Sequence, residues 1–271
     1  MNFAGRRVLI TGGSSGIGRA IADAVAKRGG ILCLAARDGA RLQKAADEIA
    51  ASFPSHPNPL AIPCDVTDGP AVRRLVAECR NHLGGLDILF NNAGICVYGP
   101  VERTGAEDFA GVMAVNFQGA VNCILEVLPV MRQQGSGRIV NTGSVAALHG
   151  VPYLAAYSAS KAALAAATQA LRAELSGSGI NITTVYVDYT QTGIFAAEKN
   201  VGGARRPTGP YAPAPKVAEA IVRAVERGKG DFAVSARGRA LIIARTLAPG
   251  IVERNMNRLA EELRAGEEES E

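Results

Sequence analysis

Arg6-Arg7-Val8-Leu9-Ile10-Thr11 is a short apolar and β-branched run that passes directly into Gly12-Gly13-Ser14-Ser15-Gly16-Ile17-Gly18. A helical pattern continues through Ile21, Ala24 and Val25 and stops at Gly29-Gly30. Glycines in such a turn let the backbone approach a bound group closely. The helix that follows offers free N–H groups with a partial positive charge, and together these are what a dinucleotide pyrophosphate needs. Taken alone, the cluster would serve equally as a tight turn.

The rest of the chain repeats the alternation of strand and helix. Ile31–Ala36 is apolar throughout, as expected of a strand covered on both faces, and it ends in Arg37-Asp38, about 20 residues after Gly18. There an acidic residue grips a ribose diol, or an arginine a 2′-phosphate, whereas Asp38 would also serve as the cap of a helix from about Ala40 to Ser52. A proline-rich loop, Pro54 to Pro59, precedes a third strand at Leu60–Pro63, with Cys64-Asp65-Val66 at its end; a helix then runs from Thr67-Asp68 to about Leu83. Leu86–Phe90 is the fourth strand, followed by Asn91-Asn92-Ala93-Gly94, small and amide residues that suit a backbone held against a ligand. An amphipathic stretch from Thr104 to Met131 carries Asn116 among Val115, Phe117 and Val121, a burial that is costly without partners. Arg138–Ser144, Ile180–Val187 and Asp231–Val234 complete seven strands, with a helix at about Lys216–Arg227. Asp188 to Pro215 lacks periodicity and reads as a mobile lid. The expected fold is α/β, one doubly wound domain over residues 1–237 with a parallel seven-stranded sheet.

Between the fifth and sixth strands lies Tyr157-Ser158-Ala159-Ser160-Lys161. Four residues apart on a helix, the phenol and the ammonium share a face. At roughly 5 Å and an effective dielectric near 20 their attraction is about 3 kcal/mol, which would lower the phenol pKa by roughly two units toward the range of a general acid or base. Small residues on the same helix, Ala162, Ala163, Ala166 and Ala170, permit close helix packing, including against another subunit.

Composition excludes several other classes. A net charge of +4 from 29 basic and 25 acidic residues, with no basic block and no Trp, argues against nucleic acid. Cys33, Cys64, Cys79, Cys96 and Cys123 form no close pair, and His56, His82 and His149 lack ligand spacing, so no metal is expected. About five residues precede the first strand and no apolar run approaches roughly 20 residues, which predicts a soluble cytoplasmic protein.

The glycine turn, Asn91-Asn92-Ala93-Gly94, Asn116, Ser144 and the Tyr157/Lys161 pair occur in an order and at spacings that resemble the short-chain dehydrogenase/reductase family over about residues 6 to 235. The resemblance implies a Rossmann-type oxidoreductase, a homodimer or homotetramer, that interconverts a carbonyl and an alcohol. Tyr157 would be the general acid or base, Ser144 would orient the substrate oxygen, and Lys161 would hold the nicotinamide ribose and tune Tyr157. Asn116 would anchor a water of the proton relay. Gly12, Ser14, Ser15, Gly16, Ile17 and Gly18 would cradle the cofactor, with Asp65 and Val66 at the adenine, Asn91 at a ribose, Ala93 and Gly94 alongside, and Gln191 and Thr192 at the carboxamide. NAD-using members carry an acidic residue where this chain has Ala36, so the resemblance favours NADP over NAD, with Arg37 on the 2′-phosphate. Substrate contacts would come from Ser144, His149, Tyr153, Tyr157 and Tyr189, with Val151, Leu154, Ile194 and Phe195 making the pocket apolar. Asp188-Tyr189 stands where the family usually has Pro-Gly, which leaves a catalytically idle NADP(H)-binding sensor or scaffold as the rival reading.

Residues 238–271 lie outside the resemblance and form a C-terminal extension. Leu241-Ile242-Ile243 and Leu247, interleaved with Arg239, Arg245 and Arg254, would cover the substrate cleft, form a subunit contact, or rest on an anionic membrane. The acidic tail from Glu267 to Glu271 is expected to be solvated and disordered.

Overall fold

Continuous apolar runs make poor surface strands but good central ones, and here they assemble into one sheet. The computed structural model describes residues 2–191, 199–204, 211–228 and 230–268. In chain order the elements are β1 (Arg7–Thr11), α1 (Gly16–Ala26), β2 (Ile31–Ala36), α2 (Gly39–Ser52), β3 (Leu60–Pro63), α3 (Gly69–Leu83), β4 (Ile88–Asn91), α4 (Ala106–Met113) and α5 (Gly119–Gln134). They continue with β5 (Gly137–Ser144), α6 (Ala155–Glu174), β6 (Ile180–Val187), α7 (Ala214–Glu226), β7 (Phe232–Ala233), α8 (Ala236–Leu247) and α9 (Pro249–Glu268). The seven strands are parallel in the order β7-β6-β5-β4-β1-β2-β3. Strand order reverses between β1 and β4, and in an open parallel sheet the crevice at that point, beyond the strand carboxyl ends, is where ligands bind.

Side-chain alternation splits the core into two layers. Val8, Ile10, Ile88 and Phe90 pack with Ile21 and Val25 of α1 and Ile221 and Val222 of α7; Leu9 and Leu89 face Val72 and Leu75 of α3 and Ile124 and Val127 of α5. The Arg7 guanidinium meets the Asp87 carboxylate through two hydrogen bonds of 2.9 Å, which ties the start of β1 to the approach to β4. Asp68 caps α3 by accepting from the Ala71 N–H at 3.2 Å. Asp68→Ala is expected to cost about 1 kcal/mol, a fall of roughly 2–4 °C in Tm, measurable by thermal denaturation.

Several expectations are corrected. The stretch from Thr104 to Met131 is two helices joined by a π-helical turn, Ala114–Gln118, which carries the buried Asn116. Residues Ala106–Gln134 are also apolar and long enough to cross a membrane by length and composition, contrary to the expectation that no run approaches that length. Val112, Cys123, Ile124, Val127 and Met131 are buried, so this is a core helix of the domain. Of the acidic tail, Glu267 and Glu268 belong to α9, because the stretch from Val252 onward is rich in strong helix formers, while residues 269–271 lie outside the described residues. The boundary after residue 237 falls inside α8, whose Gly238 packs on Ala233 and Val145. In the segment read as a lid, Thr190–Gln191 pairs with Ala212–Pro213 and Lys199–Asn200 with Val97–Tyr98, while Thr192, Ile194 and Phe195 lie outside the described residues.

Candidate active site

The carboxyl ends of β1, β4, β5 and β6 enclose a cavity of about 700 Å³, within the size range of small-molecule and cofactor sites. Gly12, Ser14, Ser15, Gly16 and Ile17 form one end. Gly12 and Gly16 have φ of 67° and 56°, the left-handed region, and a Cβ on Gly12 would stand 3.0 Å from the Ala93 backbone and the Asn92 amide. Gly18 does not line the cavity; a Cβ there would collide with the Gly12 carbonyl, so its smallness lets α1 pack against the turn. Ser15 begins α1 without a side-chain capping bond. A glycine cradle beside an uncapped helix N-terminus fits a pyrophosphate.

Thr11 locks the neighbouring loop in place. Its Oγ1 accepts from the N–H groups of Asn92 and Ala93 at 3.0 and 3.1 Å. Asn92, Ala93 and Gly94 therefore line the cleft. Asn91 lies beneath it, donating to Asn141 Oδ1 at 2.9 Å and to the Ala120 carbonyl at 3.2 Å, which removes its side chain from any ribose. At the far rim Arg37 and Asp38 are exposed at the end of β2. Asp38 accepts from the Arg41 N–H at 3.0 Å and so acts as the cap of α2. Asp65 and Val66 sit beside them, and the Asp65 carboxyl is held below its usual range by the Thr67 N–H, against the opposing effect of burial, with help from the Thr67 hydroxyl and the Arg37 charge.

At the other end stand Ser144, Tyr157 and Lys161. β5 ends at Ser144, whose hydroxyl hydrogen-bonds the Tyr157 phenol and also accepts from the Ala146 N–H at 3.2 Å. Lys161 Nζ lies 5.7 Å from the centre of the Tyr157 ring and donates to the Thr142 carbonyl at 2.8 Å. The expected lowering of the phenol pKa is not what this arrangement gives. Burial pushes the Tyr157 phenol well above its ordinary value, outweighing the Ser144 hydrogen bond, and pushes the Lys161 ammonium down to about 8. Desolvation of both groups wins over their mutual attraction.

Asn116 is outside the lining but touches its frame. It accepts from the Ile95 N–H at 2.8 Å and donates to the Ile95 carbonyl and to Ser160 Oγ, both at 3.0 Å; Ser160 in turn donates to the Tyr157 carbonyl at 2.8 Å. These direct bonds satisfy the buried amide and tie the loop after β4 to α6. Where that frame meets Lys161, a Cβ on Gly94 would sit 3.2 Å from Asn116 Oδ1 and 3.7 Å from Lys161 Nζ.

Of the further substrate candidates, Val151, Leu154 and Tyr189 line the cleft, whereas His149 and Tyr153 do not; nor does the exposed Gln191, expected at the cofactor carboxamide. Tyr153 adopts φ 65° and packs on Tyr98, ring centres 5.7 Å apart. Tyr189 lies on Tyr211 at 5.6 Å, and burial pushes its phenol up to about 12. Sequence reasoning missed Cys96, which faces Tyr157 and Lys161 from the loop after Gly94, and Val145 and Val187, which directly follow β5 and end β6. Asp188 also lines the cleft. Its carboxylate accepts from the hydroxyl of Ser235, the residue that caps α8 by accepting from the Gly238 N–H at 2.8 Å.

Residues 6–201 match the short chain dehydrogenase family. The chain is 35% identical to an uncharacterized oxidoreductase of Mycobacterium tuberculosis, over 94% of this chain and 73% of that protein. It is also 35% identical to the ketoacyl reductase HetN of Nostoc, covering 85% and 79%. A short chain dehydrogenase/reductase from Burkholderia phymatum, solved in complex with NAD, superimposes with a TM-score of 0.82 at 26% identity, covering 93% of this chain and 96% of that one. Family match, relatives and sheet order agree, and the chain belongs to the short chain dehydrogenase family.

Proposed function

We propose that the protein is an NADP(H)-dependent oxidoreductase that interconverts a carbonyl and an alcohol on a small apolar substrate. One observation carries this reading: a single cleft joins a glycine cradle to the Ser144 hydroxyl, the Tyr157 phenol and the Lys161 ammonium. The nicotinamide cofactor, when bound, supplies or accepts a hydride at the substrate carbon. Gly12, Ser14, Ser15, Gly16 and Ile17 are assigned to its pyrophosphate, and Lys161 to its ribose. In reduction Ser144 donates a hydrogen bond to the carbonyl oxygen, and Tyr157 transfers its proton to that oxygen as negative charge develops. A phenol raised by burial stays protonated at neutral pH, which suits the acid role. Lys161, still an ammonium at pH 7, faces the phenolate left behind. Asn116 positions α6 through Ser160.

Ile95, Cys96, Val145, Val151, Leu154 and Val187 make the walls largely apolar and favour a hydrophobic ketone or alcohol. Oxidation of NADPH, followed by absorbance with a panel of ketones, tests the reading. Binding of the cofactor without turnover of any ketone or alcohol would favour a sensor or scaffold instead. Exposed Ala155, Ala159, Ala162 and Ala166 on α6 and Leu125 on α5 support assembly into a homodimer or homotetramer, to be read by light scattering.

Cofactor choice rests on the end of β2. Ala36 offers no carboxylate to repel a 2′-phosphate, Asp38 is engaged as a helix cap, and Arg37 faces the cleft rim. A charge-assisted bond to phosphate contributes roughly 1.5–3 kcal/mol, about a 10- to 150-fold preference. Arg37→Ala is expected to raise KM for NADP by that factor and leave KM for NAD almost unchanged. Equal losses with both would reduce Arg37 to a structural role. A wild-type preference for NAD, the cofactor in the Burkholderia phymatum structure, would overturn the assignment.

A further inference from the structure

Among the described residues, five large hydrophobic side chains are exposed, and three of them, Ile243 at 59%, Leu247 at 78% and Ile251 at 52%, follow one another at intervals of four. That spacing puts Arg239, Ile243 and Leu247 on one stripe of α8. Another side of α8 is occupied, because Ile242 packs against the buried cluster of Ala165, Tyr186 and Ala233, as does Val145, which lines the cleft. No residue from 236 to 268 lines the cleft itself, so the reading of this segment as a cover over it is corrected.

Charge decides what fits the stripe. From Ala236 to Val252 there is no acidic residue, while Arg237, Arg239 and Arg245 flank the apolar side chains. Beside the stripe opens a second cavity, lined by Lys216, Arg223, Arg227 and Arg239, whose one carboxylate, Glu219, is paired with Arg28 at 2.7 Å and Arg223 at 2.5 Å. A two-fold contact through this face would set its arginines against their own copies, which disfavours a second copy of the chain as the occupant. Arg237, Arg239 and Arg245 make no ion pair with a carboxylate among the described residues, and apolar residues aligned between such cations match an anionic bilayer, with the aliphatic groups among the acyl chains and the arginines at the headgroups.

We infer that the outer face of α8, with Arg239, Ile243 and Leu247, together with Ile251 in the first turn of α9, docks peripherally on anionic lipid surfaces. The inference does not depend on the oxidoreductase reading. Docking here places the bilayer behind the Val145 wall of the cleft.

The test is co-sedimentation of the full chain with phosphatidylcholine vesicles containing about one quarter phosphatidylserine, and with phosphatidylcholine alone. The protein should pellet with the first and not with the second, and release as salt rises. The double variant Ile243→Ser with Leu247→Ser should lose at least about 10-fold in partitioning. Arg239→Gln should lose roughly 5-fold while Arg239→Lys retains binding, because the contact is with charge. Failure of the wild type to pellet with excess anionic vesicles, or equal pelleting with both vesicle types, overturns the inference. So does a smaller sedimenting species for the double variant than for the wild type, which would make the stripe a subunit contact. Vesicle binding by a protein that turns over no ketone would leave this inference standing while the proposed function fell.

Discussion

Tyr157→Phe is expected to lower kcat by at least about 10²-fold while leaving cofactor affinity nearly unchanged. The substitution removes one hydroxyl from a ring that is held by the packing of α6 and by Ser160 below its backbone, so cleft and cradle keep their shape. What disappears is the proton given to the substrate oxygen. Ser144 can still hydrogen-bond that oxygen but is not placed to replace the transferred proton. Steady-state turnover with a ketone from the panel, together with cofactor binding followed by fluorescence, separates the two effects. Retention of more than about a tenth of wild-type kcat would remove Tyr157 from the proposed role.

The second large effect is on stability, and its sign depends on pH. Lys161 is 4% exposed, and its ammonium is pushed down to about 8 by burial, whereas in the unfolded chain it titrates near 10.4. Below pH 8 both states are protonated, and the folded state bears the full cost of the buried charge, on the order of 3 kcal/mol. Between about pH 8 and 10.5 the unfolded state binds more protons, so stability attributable to this residue rises with pH. Lys161→Met abolishes that dependence. The difference in unfolding free energy between wild type and Lys161→Met should therefore move in favour of the wild type by about 2–3 kcal/mol between pH 7 and pH 10. Taking the difference cancels the opposite trend of the buried thiols, since Cys64 and Cys123 are pushed up to about 11 and about 12 and are common to both proteins. Urea denaturation at the two pH values measures it, and a difference that stays flat would place Lys161 in solvent contact.

Sequence periodicity carried the sheet well, because a strand buried on both faces must be apolar at every position and Ile31–Ala36 has no other use. It also carried the residues of the cleft that lie at strand ends or within two residues of them, Gly12, Asp65, Ala93 and Ser144, since strand ends and helix starts fix where the backbone turns. What could not be read were directions of side chains and balances of energy. Asn91 and Asn92 are adjacent amides, and only the alternation of the strand sends the first into the core and the second into the cleft. The attraction between Tyr157 and Lys161 can be worked out from helix spacing, but the larger effect of burial, and the added influence of Cys96 and Tyr189, come from segments outside that helix. The π-helical turn at Asn116 changes the register of a helix without leaving any mark on its hydrophobic pattern.

The bond between Asp188 and Ser235 joins a residue of the cleft wall to the cap of the C-terminal helices. Each group depends on the other: the carboxylate needs a donor where it is half-buried, and the hydroxyl, already committed to Gly238 as an acceptor, needs somewhere to send its proton. The two positions therefore form one unit of inheritance although they stand 47 residues apart. A chimera that grafted another relative's C-terminal segment onto this domain would have to carry position 188 along with position 235, or separate a carboxylate from its donor at the edge of the cleft.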